Sequence, residues 1–342
     1  MTILYLYSEL MGYNVPVLKE LSFKYGAKIH VISWDQKKLT PFKIPEIKGV
    51  KFYKRSQFDK NSIIQLAKEL QPNLVYVPNW FDKGYLPACL MMRKMGIPVV
   101  AGLDNQWRGT LKQWAGCLLM RIRLKNYFSH LWVSGPYQYE FARRLGFDKT
   151  KILFDFYSAD TALFKKPKNE TVSNSKKFLF VGRLEPVKGI DILLESWKSI
   201  NNKDWTLTLI GNGSLKDRFK ELDNVIVKDF MQPQDLVKEI RDYNCFILPS
   251  IYEPFGVVLH EFAAAGMPII ASDCCGAAPI FVRSGYNGYQ FKSGNSKDLA
   301  HKIELIINSN KNTLQLMGER SIERSMVISP QTSAASLISV LK

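Results

Sequence analysis

The 342-residue sequence has no long hydrophobic run, although 46% of its residues are hydrophobic. A helix that spans a bilayer needs roughly 18 or more consecutive apolar residues, and no segment here reaches that length. The first ten residues, MTILYLYSEL, also lack the basic segment and the small-residue cleavage site of a secretory signal peptide. We therefore expect a first strand at residues 3–7 and a cytoplasmic protein.

Cysteine and histidine are scarce, with five and four residues respectively. The cysteines are odd in number, and the neighbouring pair Cys274-Cys275 has no second pair at the spacing of a metal site. This pattern is typical of reduced, structural thiols. The chain also contains no Asp-x-Asp sequence, which argues against an essential metal. We expect no metal site and no cofactor.

Acidic residues are missing from residues 105–139, although the whole chain carries 31 of them and a net charge of +16. Residues 1–160 contain 24 basic and 12 acidic residues, whereas residues 161–342 contain 23 and 19. The basic character therefore lies in the N-terminal half. An anionic membrane surface, an acidic substrate or nucleic acid would each explain it, and so would a solvated, lysine-rich surface.

The acid-free segment interleaves basic and large apolar residues, and its spacing over residues 111–126 predicts a helix. This composition is typical of a helix at an anionic membrane interface. A core helix with one basic solvent face is the alternative, and nucleic acid is disfavoured because no recognised binding motif is present. The candidate membrane contacts are Arg108, Lys112, Trp114, Arg121, Arg123 and Lys125.

Short apolar strands alternate with amphipathic helices along the whole chain, which indicates doubly wound, mostly parallel α/β sheets. A chain of this length fits two domains. Residues 161–177 are polar and aperiodic, so we predict a linker there. The predicted domains are 1–160 and 178–325, and a C-terminal helix over 326–342 can cross back to the first domain.

The segment 244–291 has the richest pattern. A buried strand at residues 245–248 leads to a loop with Glu253, a helix that contains Glu261, and a stop at Gly266-Met267-Pro268. A helix N-terminus at the carboxyl end of such a strand is a ready site for an anion. Two carboxylates beside it suggest a nucleotide sugar.

Two further turns follow predicted strands. In the first, Gly182 permits a tight turn, and Arg183 and Lys188 beside it can neutralise a diphosphate, although such cations are often only surface charges. In the second, Gly211 opens a Gly-x-Gly turn before an expected helix at 213–222. Lys216 stands where a dinucleotide fingerprint has its third glycine, so NAD is not expected.

Taken together, these elements resemble the family 4 glycosyltransferases. The resemblance lies in the G-R-x-x-x-x-K-G turn at 182–189, the G-x-G turn, the E-x7-E motif from Glu253 to Glu261 and the segment Asn287-Gly288-Tyr289. It covers residues 178–291. It implies the GT-B fold, an α/β architecture of two doubly wound Rossmann-like domains that face a central cleft. It also implies an acceptor-binding first domain and a nucleotide-sugar-binding second domain.

The resemblance also implies residue roles. Arg183, Lys188 and Glu253 would be catalytic: the two cations would stabilise the diphosphate leaving group, and Glu253 would contact the transferred sugar. Glu261 would hold the ribose hydroxyls. The remaining donor-binding candidates are Gly12, Gly182, Gly211, Phe230, Met231, Phe255, Gly256 and Val257.

The N-terminal half departs from the family pattern. Only Gly12 stands where the first loop usually has a glycine pair, and no histidine follows the strand predicted at 97–101. Asp104, Asn105 and Trp107 are the candidates there for contact with the acceptor or the sugar, although a loop-capping role suits Asp104 equally. His260 precedes Glu261, and we expect it to be packed rather than catalytic.

The expected function is transfer of a hexose-type sugar, with retention, from a UDP- or GDP-sugar to a lipid-linked or cell-envelope glycan. The protein would be cytoplasmic, with peripheral attachment to the inner face of the membrane as an option. The alternatives are a GT-B epimerase or hydrolase, and a non-catalytic, membrane-associated binder of sugar nucleotides. The sequence does not choose the sugar, the base or the acceptor.

Overall fold

A computed structural model describes residues 1–36, 41–165, 167, 173–201, 204–219 and 222–341. The chain divides into two compact units. The first unit comprises residues up to Ser158 together with those from Ile328 onward, and the second comprises Ala159–Val327. Part of the predicted linker (residues 166 and 168–172) lies outside the described residues. Thr161–Phe164, at the start of that segment, form a short helix.

The first unit contains a fully parallel, seven-stranded sheet in the order β3-β2-β1-β4-β5-β6-β7. Its strands are β1 (Thr2–Leu6), β2 (Lys28–Ser33), β3 (Val50–Lys54), β4 (Leu74–Val77), β5 (Val99–Leu103), β6 (His130–Val133) and β7 (Ile152–Leu153). Its first helices are α1 (Asn14–Phe23), α2 (Lys60–Leu70), α3 (Leu86–Lys94), α4 (Leu111–Leu119) and α5 (Pro136–Arg144).

This sheet is buried on both faces, as apolar strands such as β4 (LVYV) require. Successive side chains of β1 alternate between the two layers. Ile3 and Tyr5 pack with α1, whereas Leu4 and Leu6 pack with α2 and α3. The alternation follows from the two-residue period of a strand, and it fixes which helices cover which face.

The second unit contains a fully parallel, six-stranded sheet in the order β10-β9-β8-β11-β12-β13. Its strands are β8 (Lys177–Val181), β9 (Thr206–Ile210), β10 (Val225–Lys228), β11 (Cys245–Leu248), β12 (Ile269–Ser272) and β13 (Gly288–Phe291). Its helices are α6 (Thr161–Phe164), α7 (Ile190–Ser199), α8 (Pro233–Glu239), α9 (Val257–Ala264), α10 (Ala278–Phe281), α11 (Ser296–Ile307) and α12 (Lys311–Ser325).

The last helix, α13 (Pro330–Ile338), belongs to the first unit. It packs beside α1, where Gln331 Nε2 donates to Glu20 Oε1 at 2.6 Å. Ser336 Oγ donates to the carbonyl oxygen of Phe154 at 2.7 Å. Ala334 and Leu337 are buried in the same layer of the core as Ile3 and Tyr5.

The sequence predictions fail at three elements. The helix predicted at 213–222 is wrong for the described part of that segment, which forms only a 3-10 turn at Lys216–Phe219. Strand β13 was not predicted as a strand, because it begins at Gly288, a residue that weakens strand patterns. Helix α10 has only four residues, too few for a helical period to appear. Within the described ranges, no helix is both long and apolar enough to cross a membrane.

Candidate functional site in the second unit

The candidate site lies at the carboxyl edge of the second sheet, where all six parallel strands end. Strands β8 and β11 are neighbours in the middle of this sheet, although β9 and β10 separate them in the chain. The chain therefore leaves them in opposite directions, and the loops behind them form a crevice. In open α/β sheets, ligands bind at such a switch point.

An ion pair joins the two loops at this point. Lys188 Nζ, from the loop behind β8, contacts Glu253 Oε2, from the loop behind β11. Both side chains are largely shielded from solvent, with exposed fractions of 18% and 11%. Ser250 Oγ lies 3.5 Å from the same carboxylate oxygen. The structure thus brings together two of the three residues to which the resemblance gives a catalytic role.

Backbone contacts explain why these two side chains meet. The carbonyl oxygen of Val187 accepts a hydrogen bond from Ile251 N at 2.9 Å. Gly189 has a left-handed backbone with φ of +69°, and a Cβ atom there would overlap the carbonyl oxygen of Pro249. The G-R-x-x-x-x-K-G turn therefore needs its last glycine for close approach to the second loop.

The Gly-x-Gly turn holds the first loop from its other side. Leu184 N donates to Asn212 O, and Leu215 N donates back to Leu184 O, both at 2.9 Å. Glu185 accepts hydrogen bonds from the amide and the hydroxyl of Ser214, at 3.0 and 2.7 Å. These contacts hold the Gly-x-Gly turn against the loop that carries Arg183 and Lys188.

Helix α9 begins immediately behind Glu253. Its N-cap residue is Gly256, which has φ of +91° and has no side chain with which to cap the helix. The first amides of a helix have no acceptor inside it and carry a partial positive charge. Phe255 contributes only its backbone to this edge, because its ring is buried against Phe281.

Glu261 lies one turn further along α9 and is half-buried. Burial, together with the negative charge of Asp160, raises its pKa to about 7. Asp160 is the N-cap of α6, where its side chain accepts a hydrogen bond from Leu163 N. Sequence reasoning missed this second carboxylate, because it stands 101 positions before Glu261 in the chain.

Other residues of the matching segment support the site without lining it. His260 is fully buried: its Nδ1 accepts from Ala159 N at 3.0 Å and its Nε2 donates to Ser325 O at 2.9 Å. The prediction that His260 is packed is therefore confirmed. The amide of Asn287 is likewise used by the fold, since it binds Phe281 O and Ser321 Oγ.

Several predicted donor-binding residues lie along the carboxyl edge of the second sheet but take no part in the Lys188–Glu253 ion pair. Arg183 follows β8 and is exposed. Phe230 and Met231 follow β10 and are half-buried. Gly182 and Gly211 face each other across the β8 and β9 loops, and a Cβ atom at Gly211 would overlap the carbonyl oxygen of Gly182. Val257 opens helix α9.

The carboxyl edge of the first sheet has a different chemistry. Asp104 follows β5, and the hydroxyl of Tyr157 lies 3.3 Å from its carboxylate. The backbone carbonyl oxygen of Asp104 accepts a hydrogen bond from Gln138 Nε2 at 2.9 Å. The predicted donor residue Gly12 lies in the turn before α1, and the side chain of Asn14 closes that turn by accepting from Met11 N.

The two remaining acceptor candidates follow Asp104 in the chain. Asn105 is half-buried. Trp107 packs edge-on against Trp114, with ring centroids 5.1 Å apart, and the guanidinium of Arg144 lies 4.7 Å from its ring centroid. Packing and a cation–π contact thus hold the Trp107 ring.

The described residues contain no group of three or more histidine, cysteine, aspartate or glutamate side chains arranged to hold a metal ion. The five cysteines are free, and four of them are buried. Cys274 is the fifth and is partly exposed; its Sγ lies 3.0 Å from the carbonyl oxygen of Ser250.

Comparison with known proteins finds sequence similarity for much of the second unit. Residues 162–324 match the family model described as Glycosyl transferases group 1. An uncharacterized glycosyltransferase of Methanocaldococcus jannaschii is 34% identical over 156 residues, which are 43% of this chain and 42% of that protein. The capsular polysaccharide biosynthesis glycosyltransferase CapM of Staphylococcus aureus is 28% identical over 193 residues, 52% of this chain and 50% of its own length. The matches thus span about half the length of these relatives or less.

Solved structures extend the similarity to both units. HepE of Anabaena, solved in complex with UDP, superposes with a TM-score of 0.76 at 18% identity, over 100% of this chain and 99% of its own. The same protein has been solved with UDP-glucose, with a TM-score of 0.75. At this identity the likeness is one of fold. Residues 162–324 are therefore similar to the group 1 glycosyltransferases, and the chain has the two-domain GT-B fold of the solved glycosyltransferases.

Proposed function

We propose that this protein transfers a hexose-type sugar from a nucleotide diphosphate sugar to an acceptor, with retention of the anomeric configuration. The observation that carries the proposal is the arrangement at the carboxyl edge of the second sheet. There the Lys188–Glu253 pair, the start of α9 at its glycine N-cap, and Glu261 follow one switch point. A site that binds a diphosphate needs positive charge, and a site that binds a sugar needs carboxylates that accept hydrogen bonds from the sugar hydroxyls.

The phosphate would be bound by Lys188, by the exposed Arg183 and by the first amides of α9. As the sugar leaves, negative charge builds up on the departing diphosphate. Fixed positive groups that meet this charge stabilise the transition state more than the ground state. Because two cations would do this work, we propose that the reaction needs no metal. Turnover that survives chelation with EDTA would support this part, and its loss would contradict it.

Glu253 and Glu261 would have separate roles. Glu253 stands next to Lys188, so it would accept from the hydroxyls of the transferred sugar beside the diphosphate. Glu261 lies further along α9, and it would bind the hydroxyls of the ribose. A carboxylate that is half-buried and raised in pKa binds hydroxyl donors well once it is charged, because little water competes for it.

Retention rests on the resemblance of the E-x7-E segment to retaining enzymes. In that mechanism the acceptor attacks on the face that the diphosphate leaves, and the departing phosphate takes the acceptor's proton. The anomeric configuration of the product, read from its proton NMR coupling, tests this point directly. A product of inverted configuration would contradict it.

The acceptor would be a lipid-linked or cell-envelope glycan. The basic balance of residues 1–160 suits an acceptor that carries phosphate. The name of the CapM relative, which refers to capsular polysaccharide biosynthesis, supports the same class. The UDP complexes of HepE favour UDP-sugars as the first donors to test, with GDP-sugars as the comparison.

The deciding experiment has two steps. Thermal shifts with UDP, GDP and their hexose conjugates identify the donor, because a ligand at about 100 times its Kd stabilises by roughly 2.7 kcal/mol. Turnover is then measured with the stabilising donor, alone and with lipid-linked glycan acceptors. Acceptor-dependent release of nucleotide supports the proposal. Donor conversion without acceptor would favour an epimerase or a hydrolase, and binding without turnover on any acceptor would favour a non-catalytic binder.

A further inference from the structure

Helix α4 has an unusual exposed face. The chain continues from α4 through a wide π-type turn at Met120–Leu124 and a 3-10 turn at Lys125–Tyr127. Cys117 and Met120 point into the core. The opposite side carries five large apolar side chains with high exposed fractions: Leu111 at 88%, Trp114 at 56%, Leu118 at 61%, Leu119 at 44% and Ile122 at 68%.

These side chains form one stripe rather than a scatter. Residues 111, 118 and 122 recur at helical spacing, so they lie above one another on a single face. Leaving such a stripe in water is unfavourable, and contiguous exposed apolar surface marks an interaction site. We refer to these five residues as the apolar stripe.

Basic side chains flank the apolar stripe at both ends. Lys112 follows Leu111 at the start of α4, and Arg121, Arg123 and Lys125 lie around Ile122 in the turns after α4. All four are exposed. The segment from 105 to 139 itself contains no acidic residue. An apolar stripe with basic flanks matches the boundary between acyl chains and anionic headgroups.

A basic cavity adjoins the end of this face. It has a volume of about 620 Å³ and lies at the amino edge of the first sheet, between the end of α3 and the turns before β6 and β7. Four cations line it, against one carboxylate: Arg93, Lys94, Lys125, Lys151 and Asp148. We refer to it as the basic pocket. Lys125 belongs both to the basic pocket and to the flank of the apolar stripe.

Two details indicate that the basic pocket suits an anion. The Nε atom of Arg93 is buried and has no hydrogen-bond acceptor among the described residues. The carboxylate of Asp148 is engaged by the amide and the hydroxyl of Thr150, at 2.9 and 2.8 Å. Nearby, burial and the positive charges of Lys151 and Arg93 lower the pKa of His130 to about 4.

We propose that the apolar stripe and the basic pocket form one docking surface for an anionic lipid bilayer. The stripe inserts among the acyl chains, the flanking cations lie at headgroup level, and the basic pocket binds the phosphate of one headgroup. A folded nucleic acid does not suit this surface, because it would leave the apolar stripe in water. A protein partner would have to supply both an apolar groove and an acidic rim.

The test is co-sedimentation of the full chain with vesicles of phosphatidylcholine, alone or mixed with phosphatidylglycerol. We expect binding to the mixed vesicles, no binding to the neutral ones, and weakening at high salt because surface charges are screened. Since a protein of net charge +16 has some affinity for any anionic surface, variants must separate this docking surface from bulk charge.

Three double variants do so. Leu118→Ser/Ile122→Ser keeps the charge and removes apolar area, and Arg93→Gln/Lys151→Gln removes two cations from the basic pocket. Lys19→Gln/Phe23→Ser is the control, because both residues are exposed on α1, in the other layer of the first unit. We expect each of the first two variants to partition about tenfold more weakly or worse, and the control to bind nearly as the wild type does.

Hydrogen exchange locates the contact. On mixed vesicles, the amides of 111–125 should become protected while those of α1 do not. Equal losses in a pocket variant and in a control that also lacks two cations, Lys19→Gln/Lys28→Gln, would overturn the proposal. So would a wild-type protein that binds glycerol phosphate in solution but not mixed vesicles, which would make the pocket a site for soluble phosphates. None of these experiments measures glycosyl transfer. A negative result would therefore contradict the docking surface and not the proposed function.

Discussion

The two units have sheets with the same order for their first six strands, yet the switch points carry different chemistry. In the second unit, the loops behind β8 and β11 are joined by the Lys188–Glu253 pair and by the close approach of Gly189 to Pro249. In the first unit, buried tyrosine rings occupy the corresponding place, with Tyr7 and Tyr76 stacked at 5.9 Å. One backbone plan thus supports a charged crevice in one unit and an aromatic one in the other.

The difference shows that strand order fixes where a site forms, whereas the loop residues decide what it binds. The charged crevice can meet a diphosphate, and glycines let its backbone approach closely. In the first unit the rings of Tyr7 and Tyr76 are buried, and the hydroxyl of Tyr157 lies 3.3 Å from the carboxylate of Asp104. Substitutions at Lys188, Gly189 and Glu261, each with a comparison variant, test this contrast.

The largest expected effect is that of Lys188→Met. Loss of a cation that stabilises the leaving group should reduce kcat by about 10²–10³. The same change removes the ammonium group that pairs with the shielded Glu253 carboxylate, which costs roughly 3–5 kcal/mol of stability. The double variant Lys188→Met/Glu253→Gln should recover much of the melting temperature but not the activity. In the first unit, Asp104→Asn should leave UDP affinity unchanged.

Lys198→Met serves as the matched control for this variant. Lys198 is exposed on α7, away from the crevice, so its loss should change neither turnover nor UDP affinity. If the Lys188 variants retained full turnover at normal stability, the charged crevice would not be the donor site.

The second largest expected effect is that of Gly189→Ala, which should lower the free energy of unfolding and disturb the site. The residue combines a left-handed backbone with a close approach to Pro249, so we expect a loss of about 3 kcal/mol or more. Gly96 in the first unit has φ of +80°, but a Cβ atom added there would meet no other atom within 4 Å. Gly96→Ala should therefore cost only about 1–2 kcal/mol. Denaturant titration compares the two, and equal losses would show that close approach is unimportant.

The smallest effect concerns pH. Because the pKa of Glu261 is raised to about 7, its carboxyl is mostly protonated below that pH. Ribose hydroxyls would bind the charged form, so UDP affinity should rise about tenfold between roughly pH 6 and roughly pH 8. Glu261→Gln should abolish this dependence. Asp160→Asn should move its midpoint to lower pH, since it removes a negative charge.

Without ligand, the pH effect on stability has the opposite sign. The folded state holds the Glu261 proton more tightly than the unfolded chain does, whose glutamate pKa is about 4.3. This contribution to stability is present below about pH 4.3 and is lost as pH rises through about 7. Melting of the wild type and of Glu261→Gln across this range checks the sign. If the melting temperature of the wild type rose with pH relative to that of Glu261→Gln, the expected sign would be wrong.

Much of the fold could be predicted from the sequence, because strand and helix periods are local properties. Strands β2, β4 and β11 have the bounds that their apolar runs predict. The pattern failed at residues 216–219, which form only a 3-10 turn, and at β13, which begins at Gly288 and so has no side chain there to show the strand period.

The candidate site divides in the same way. By itself, the sequence determined that Lys188, Glu253 and Glu261 follow strands and that glycines stand beside them, because motif spacing is written along the chain. Only the tertiary structure decided that Lys188 pairs with Glu253, that Asp160 comes close to Glu261 and that Lys125 joins the apolar stripe to the basic pocket. Contacts between residues far apart in the chain depend on how parallel strands bring distant loops to one edge, and no local period encodes that.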